Sequence, residues 1–207
     1  MTAPLLVFAP TRPGEDSLEC SLWMAKCNRD RLNAEGFSTI EAMGSDALPE
    51  ALDERLPEAS ALLYFGHGDE EHLGSADAEK PSMGPGNVHL LSDRWAHAVA
   101  CRAGVRLADL AVEKGAILFA GYDAAIILDW SPTNIPAEIA GAFRIFISET
   151  SVLLARGVRE IGEIQRRLEA VAERIVLWCQ DDGSQGLEIT AQQLIQRLVV
   201  RRAVAAT

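Results

Sequence analysis

A histidine and a cysteine each stand at the end of a hydrophobic run of the kind that forms a buried strand. His67 comes shortly after the run 61–65 and is followed by Gly68. Cys101 comes directly after the run 95–100. A thiolate is a nucleophile, and an imidazole can take up and return a proton near neutral pH. The pair therefore has the residue types needed for nucleophilic catalysis.

For that chemistry the two strands must be neighbours in one parallel sheet, and the order of the predicted elements favours such a sheet. The predicted strands are residues 5–9, 37–43, 61–65, 95–100 and 116–121. The predicted helices between them are residues 16–34, capped by Asp16 or Ser17, 48–59 and 105–114. Alternation of strands and helices is typical of a mostly parallel α/β sheet covered on both faces. Ligands of such sheets bind at the carboxyl ends of the strands, where His67 and Cys101 are expected.

The final third of the chain has a different pattern. Apolar residues recur there at helical spacing, which predicts helices over 137–156, 161–180 and 187–205. Residues 88–91 are interpreted as a small strand or hairpin arm. The chain is predicted to be a single domain over 1–207, with a sheet core over about 1–130 and a helical part over about 136–207.

Composition narrows the class of protein. Of the 207 residues, 48% are hydrophobic, enough for a sizeable core. No apolar run reaches the roughly 18 residues of a membrane span, and no signal peptide is recognised, so we expect a cytoplasmic protein without a membrane partner. The four cysteines form no CxxC pair, which favours reduced thiols. A net charge of −11 argues against direct nucleic-acid binding.

The backbone beside the two reactive residues could complete an acyl-transfer site. The amides of Gly68 and Cys101 could hold an oxyanion, and a helix that follows Cys101 would stabilise its thiolate. A zinc site is the competing interpretation, since imidazoles and thiolates are zinc ligands. However, His67 and His72 do not have the spacing of the HExxH motif. No metal and no cofactor is predicted.

These two motifs together resemble those of a known family. Strand–His–Gly followed by strand–Ala–Cys–x–x–Gly resembles the caspase-like (clan CD) cysteine peptidases. The segment 100–104 is similar to the Ala–Cys–x–x–Gly of CHAT (caspase-HetF-associated) domains, although its extra residue before the glycine departs from true caspases. The resemblance covers residues 5–122 and implies a caspase-like three-layer sandwich. It also implies His67 as the proton shuttle, Cys101 as the nucleophile, and Gly68 and Cys101 as oxyanion donors.

The resemblance further implies a protein or peptide substrate and a setting in bacterial defence or signalling. The long loop next to the pair suggests regulation, and with it a regulatory protein partner. Relatives that cut after Arg or Lys carry an acid two residues before the cysteine, where this chain has Val99. The candidate substrate-binding residues are Asp69, Tyr122, Asp123, Asp129 and Trp130. A solvated acidic loop at 69–71 and aromatic side chains packed under the final helices are the structural alternatives. The rival function is a catalytically inactive interaction module, and the role of the loop 69–87 is open.

Overall fold

The computed structural model describes residues 3–128, 130–182 and 185–203. Within those ranges six strands form one sheet. They are β1 (Leu5–Pro10), β2 (Thr39–Gly44), β3 (Ala61–Phe65), β4 (Trp95–Val99), β5 (Leu118–Tyr122) and β6 (Leu198–Arg202). The helices are α1 (Asp16–Ala34), α2 (Pro49–Arg55), α3 (Leu107–Glu113), α4 (Ala137–Ala155), α5 (Ile161–Asp182) and α6 (Gln185–Gln196). Short 3₁₀ turns cover Leu56–Glu58, Val88–Leu91 and Pro132–Asn134.

The sheet has the order β2-β1-β3-β4-β5-β6, in which the first five strands are parallel and β6 is antiparallel to β5. The four inner strands β1, β3, β4 and β5 are buried along their whole length, as parallel strands covered on both faces are. In β1, Val7 joins the core under α1, α4, α5 and α6, whereas Phe8 joins the core under α2 and α3. The predicted α/β class with a mostly parallel sheet between helical layers is confirmed.

The two strands that precede the histidine and the cysteine are neighbours. β3 and β4 pair in parallel with Phe65 opposite Val99, and the amide of Gly66 continues the ladder to the Val99 carbonyl at 3.1 Å. His67 and Cys101 thus lie at equivalent positions, two residues beyond an opposed pair. This arrangement places both at the carboxyl edge of the sheet.

Three local predictions were wrong. The helix expected over 187–205 ends at Gln196, and the strand β6 follows it. The strand forms because its backbone pairs with the open edge of β5 while Leu198 and Val200 pack against the core. Residues 88–91 form a 3₁₀ turn rather than a strand arm. The residue before α1 is Glu15, and neither Asp16 nor Ser17 caps the helix. None of the helices in the described ranges combines the length and the apolar character of a membrane span.

Candidate active site

Cys101 and His67 line one cavity at the carboxyl edge of the sheet. The cavity has a volume of about 230 Å³ and lies on the α1 side of β3 and β4. Its other lining residues are Ser17, Ser21, Gly66, Val99, Ala100, Ile126 and Leu128. The structure therefore brings the two reactive side chains of the sequence analysis to a single concave surface.

The turn after β3 lies tightly against the turn after β4. A Cβ atom on Gly68 would come within 2.8 Å of the Ala100 Cβ, 3.1 Å of the His72 carbonyl oxygen and 3.4 Å of the Cys101 carbonyl oxygen. Only a glycine fits that gap without displacing its neighbours. The close approach puts the backbone of Gly68 beside that of Cys101.

Two backbone amides at this junction are free to bind an anion. Among the residues that the structure describes, neither the amide of Gly68 nor that of Cys101 has a hydrogen-bond acceptor. Arg102 follows in the left-handed region, at a φ of 54°, and its own amide is bonded to the Ala124 carbonyl at 3.1 Å. Unpaired amides beside a thiol are the elements of an oxyanion hole.

A carboxylate that the sequence analysis missed holds the imidazole. The Nε2 atom of His67 lies 2.7 Å from Oε2 of Glu15, and Arg12 donates to the other oxygen at 3.1 Å. Partial burial raises the pKa of Glu15, but the hydrogen bonds from His67 and Arg12 outweigh it and hold the pKa below its ordinary value. Because an ionised carboxylate can only accept, Nε2 carries the hydrogen. In the neutral ring, Nδ1 is then the nitrogen that can take a proton.

A buried phenol fixes the backbone of His67. Tyr64 is fully buried in β3, and its hydroxyl donates to the His67 carbonyl at 2.6 Å, with the Gly74 carbonyl at 3.1 Å. The amide of Gly74 also donates to the His67 carbonyl, at 2.9 Å. Burial raises the pKa of Tyr64, so the phenol remains a donor. The backbone of His67, two residues beyond the end of β3, is thus anchored to the strand and to the loop that follows.

The sulfur of Cys101 has a donor of its own. The amide of Ile126, on the segment after β5, donates to Sγ at 3.3 Å. That segment is held by α6, because Gln193 accepts from the Ile127 amide at 2.7 Å and Thr190 donates to the Ile127 carbonyl at 2.8 Å. The Cys101 thiol in turn lies 3.9 Å from the Ile126 carbonyl, so the backbone of this segment holds the sulfur at the cavity.

The candidate substrate-binding residues lie at different places. Asp69 is exposed, accepts from the amides of Glu71 and His72 at 2.7 Å each, and lines a second cavity of about 350 Å³ with His67 and Gly68. Asp123 is exposed and lies beside Arg197, whose carbonyl accepts from the Asp123 amide. Asp129 falls outside the described residues.

The two aromatic candidates differ in burial. Tyr122 is only 1% exposed, and its hydroxyl lies 3.3 Å from Nε2 of His97 in the core, as the packed-aromatic alternative expects. Trp130 is half-buried against Trp23 and Phe143, and its indole donates to Thr190 at 3.2 Å. Trp130 also lines a separate cavity of about 570 Å³, which Cys101 does not line.

His97, Cys20 and Cys27 lie outside the cavity that His67 and Cys101 line. His97 is buried against Ser151, and burial lowers its pKa to about 3. Burial raises the pKa of Cys20 and of Cys27 to about 11, which keeps both thiols protonated. Across the described part of the chain, no group of three His, Cys, Asp or Glu side chains is arranged to hold a metal ion.

Comparisons with known proteins add little to this geometry. No family model matches the chain, and no curated protein is significantly similar to it. A solved structure described as "Structure of Protease" is 14% identical over 71% of this chain, with a TM-score of 0.45. The match spans 32% of that protein's chain. A similarity at this level assigns neither a family nor an activity, so the site itself must carry the functional conclusion.

Proposed function

We propose that this chain is a cysteine endopeptidase that uses Cys101 as the nucleophile and His67 as the base. One observation carries the proposal: the two side chains line the same cavity at the ends of neighbouring parallel strands, with the imidazole bound to Glu15. The caspase-like and CHAT resemblance of the two motifs supports the choice of a protein substrate. The proposed setting in bacterial defence or signalling rests on that resemblance. The proposed cytoplasmic location is supported by the four cysteines without a CxxC pair, and the proposed regulatory partner by the loop 69–87.

The first step forms a tetrahedral adduct on the Cys101 sulfur. The Nδ1 atom of His67 takes the proton of the Cys101 thiol, and the thiolate attacks the carbonyl carbon of the scissile peptide bond. The carbonyl oxygen becomes an oxyanion, which the free amides of Gly68 and Cys101 can bind. The imidazolium is stabilised by the Glu15 carboxylate, which is ionised at neutral pH.

The second step releases the products. His67 returns its proton to the leaving amine as the carbon–nitrogen bond breaks, which leaves an acyl group on the Cys101 sulfur. Water then loses a proton to His67 and attacks the thioester. Breakage of the carbon–sulfur bond frees the carboxylate product, and the proton returns to the thiolate.

Covalent labelling tests the assignment. The intact chain is treated with a panel of peptidyl chloromethyl ketones, and the labelled cysteine is located by mass spectrometry. We expect alkylation of Cys101 in preference to Cys20, Cys27 and Cys179, since the first two of these have thiol pKa values near 11 and the third is buried. His67→Ala should slow the labelling by about 10² to 10⁴-fold, the range that a general base contributes.

A matched control separates the dyad from a general effect of losing a histidine. His89 is also exposed, lies in the 3₁₀ turn before β4 and lines neither cavity beside His67. His89→Ala should leave the labelling rate unchanged. The peptidase proposal would be refuted by equal labelling of all four thiols, or by an unchanged labelling rate in His67→Ala. The catalytically inactive interaction module would then be the favoured function.

A further inference from the structure

We propose that the cavity beside Cys101 selects an uncharged, aliphatic or hydroxyl-bearing side chain on the acyl side of the scissile bond. This inference rests on the proposed function, because it assigns the substrate class of the same site. It concerns the residue whose carbonyl carbon the sulfur attacks.

The position of the cavity relative to the two reactive atoms assigns it to the acyl half of the substrate. It is lined by Cys101 itself and by Ile126, whose amide donates to the sulfur. The 350 Å³ cavity, in contrast, is lined by His67 and Gly68 but not by Cys101. Since His67 protonates the leaving amine, that second cavity faces the leaving half.

The lining of the acyl-side cavity is apolar with two hydroxyl groups. Val99, Ile126 and Leu128 supply the apolar surface, and Val99 is only 5% exposed. Apart from the reacting pair His67 and Cys101, the described lining contains no titratable group that could pair with a charged substrate side chain. A charge in such a cavity would lose its hydration without gaining a counter-ion, which is strongly unfavourable.

The two serines add a polar edge to this cavity. Ser21 donates its hydroxyl to the Ser17 carbonyl at 3.1 Å, so its oxygen remains an acceptor. Within the described ranges the Ser17 hydroxyl has no partner, so it is free to meet a hydroxyl of the substrate. Valine, leucine and threonine side chains all fit this combination of surfaces.

Among the residues that the structure describes, the acidic side chains near this cavity do not line it. Glu15 is engaged with His67 and Arg12. Asp16 and Glu19 line a separate cavity of about 570 Å³, which shares Leu128 with the cavity beside Cys101. Asp69 lines the cavity on the leaving side. A preference for basic residues would therefore arise at other substrate positions, not at the one next to the sulfur.

The test is a set of fluorogenic peptides that differ only in the acyl-side residue. We expect kcat/KM for Leu, Val and Thr to exceed that for Arg, Lys, Asp and Glu by about tenfold or more. Ser17→Asp and, separately, Val99→Asp place a carboxylate in the cavity and should raise the relative kcat/KM for Arg and Lys. Ser38→Asp, at an exposed serine before β2 at the opposite edge of the sheet, is the matched control.

The outcomes distinguish this inference from the proposed function. If Cys101 is alkylated by peptidyl electrophiles but the wild type favours a charged acyl-side residue, the inference is overturned and the peptidase remains. The same holds if Ser17→Asp shifts the preference no more than Ser38→Asp does. If no peptide is cleaved and Cys101 is not labelled, the proposed function fails and the inference fails with it. Val99 is packed in a strand, so Val99→Asp could fail to fold. In that case Ser17→Asp, in the first turn of α1, is the variant that tests the acyl-side preference.

Discussion

Glu15 and His67 form a hydrogen bond of 2.7 Å although 52 positions separate them in the chain. Glu15 stands at the start of α1, yet its carboxylate does not cap that helix. It accepts instead from His67 and from Arg12, whose side chain also reaches the Ser75 carbonyl at 3.1 Å. The loop after β1 thus orients the imidazole that β3 delivers.

Glu15→Gln should lower kcat by about 10²-fold, within the range of general acid–base contributions. The amide group that replaces the carboxylate carries no charge to stabilise the imidazolium, and it can donate to Nε2, which favours the wrong ring tautomer. Peptide cleavage and the rate of Cys101 alkylation measure the effect. Glu19→Gln, one turn further along α1 at an exposed position, is the control and should change neither rate. Equal rates for the two variants would remove Glu15 from the site.

Tyr64→Phe should lower kcat/KM by about tenfold to 10²-fold, because a small displacement of a catalytic group is costly. The change removes the donor to the His67 carbonyl while the Gly74 amide keeps its own bond to that oxygen. Tyr122→Phe makes the same chemical change at the other tyrosine, whose hydroxyl lies 3.3 Å from Nε2 of His97.

Both tyrosine variants should lose about 1 kcal/mol of unfolding free energy, the usual net value of a hydrogen bond. Only Tyr64→Phe should lose activity. Denaturant unfolding and peptide cleavage, measured on the same preparations, test this difference. A parallel loss of activity in Tyr122→Phe would mean that the effect follows stability rather than the position of His67.

Gly68→Ala should reduce the rate of Cys101 labelling and destabilise the fold by about 1–3 kcal/mol, as overpacking does. The added Cβ atom would lie 2.8 Å from the Ala100 Cβ. The double variant Gly68→Ala with Ala100→Gly removes that clash and should recover part of the labelling rate. Gly86→Ala, where a Cβ would meet nothing within 4 Å, is the control. A double variant no faster than Gly68→Ala would show that the contact with Ala100 is not what excludes a side chain.

His97 should make the fold less stable as the pH falls from 7 to 5. Burial lowers its pKa from 6.5 to about 3, so in this range the unfolded chain binds a proton that the folded chain does not. The contribution of neutral His97 to the free energy of unfolding is therefore fully present above pH 6.5. Below pH 6.5 this contribution is lost progressively, by about 2 kcal/mol at pH 5. Chemical denaturation at both pH values measures the change.

His97→Gln should flatten this pH dependence even if the variant is less stable at pH 7. His89→Gln, at an exposed histidine, should keep the wild-type slope. Glu15 and Asp69 do not interfere, because their pKa values lie below 4.5 and 3.8 and both stay ionised throughout this range. A wild-type slope in His97→Gln would assign the pH dependence to other groups.

The sequence by itself determined the α/β class, the positions of the first five strands, and the pair His67 and Cys101. These features depend on local patterns: apolar runs bounded by glycine and proline, helical spacing between them, and a reactive residue after each of two runs. When two such strands are parallel neighbours in a sheet, the residues that follow them lie close together at the carboxyl edge, whatever the rest of the chain does. For this reason the sequence alone predicts that His67 and Cys101 lie at one edge of the sheet.

Only the tertiary structure decided which other groups complete the site and what surrounds the sulfur. Glu15 follows β1 in a loop with no motif, and its role depends on the adjacency of β1 and β3 in the sheet order. Likewise, β6 is stable as a strand because β5 offers it an open edge, although its residues continue a helical pattern. Ile126 meets the Cys101 sulfur because α6 holds the segment that follows β5. Each of these contacts joins residues far apart in the chain, so packing rather than local sequence preference determines them.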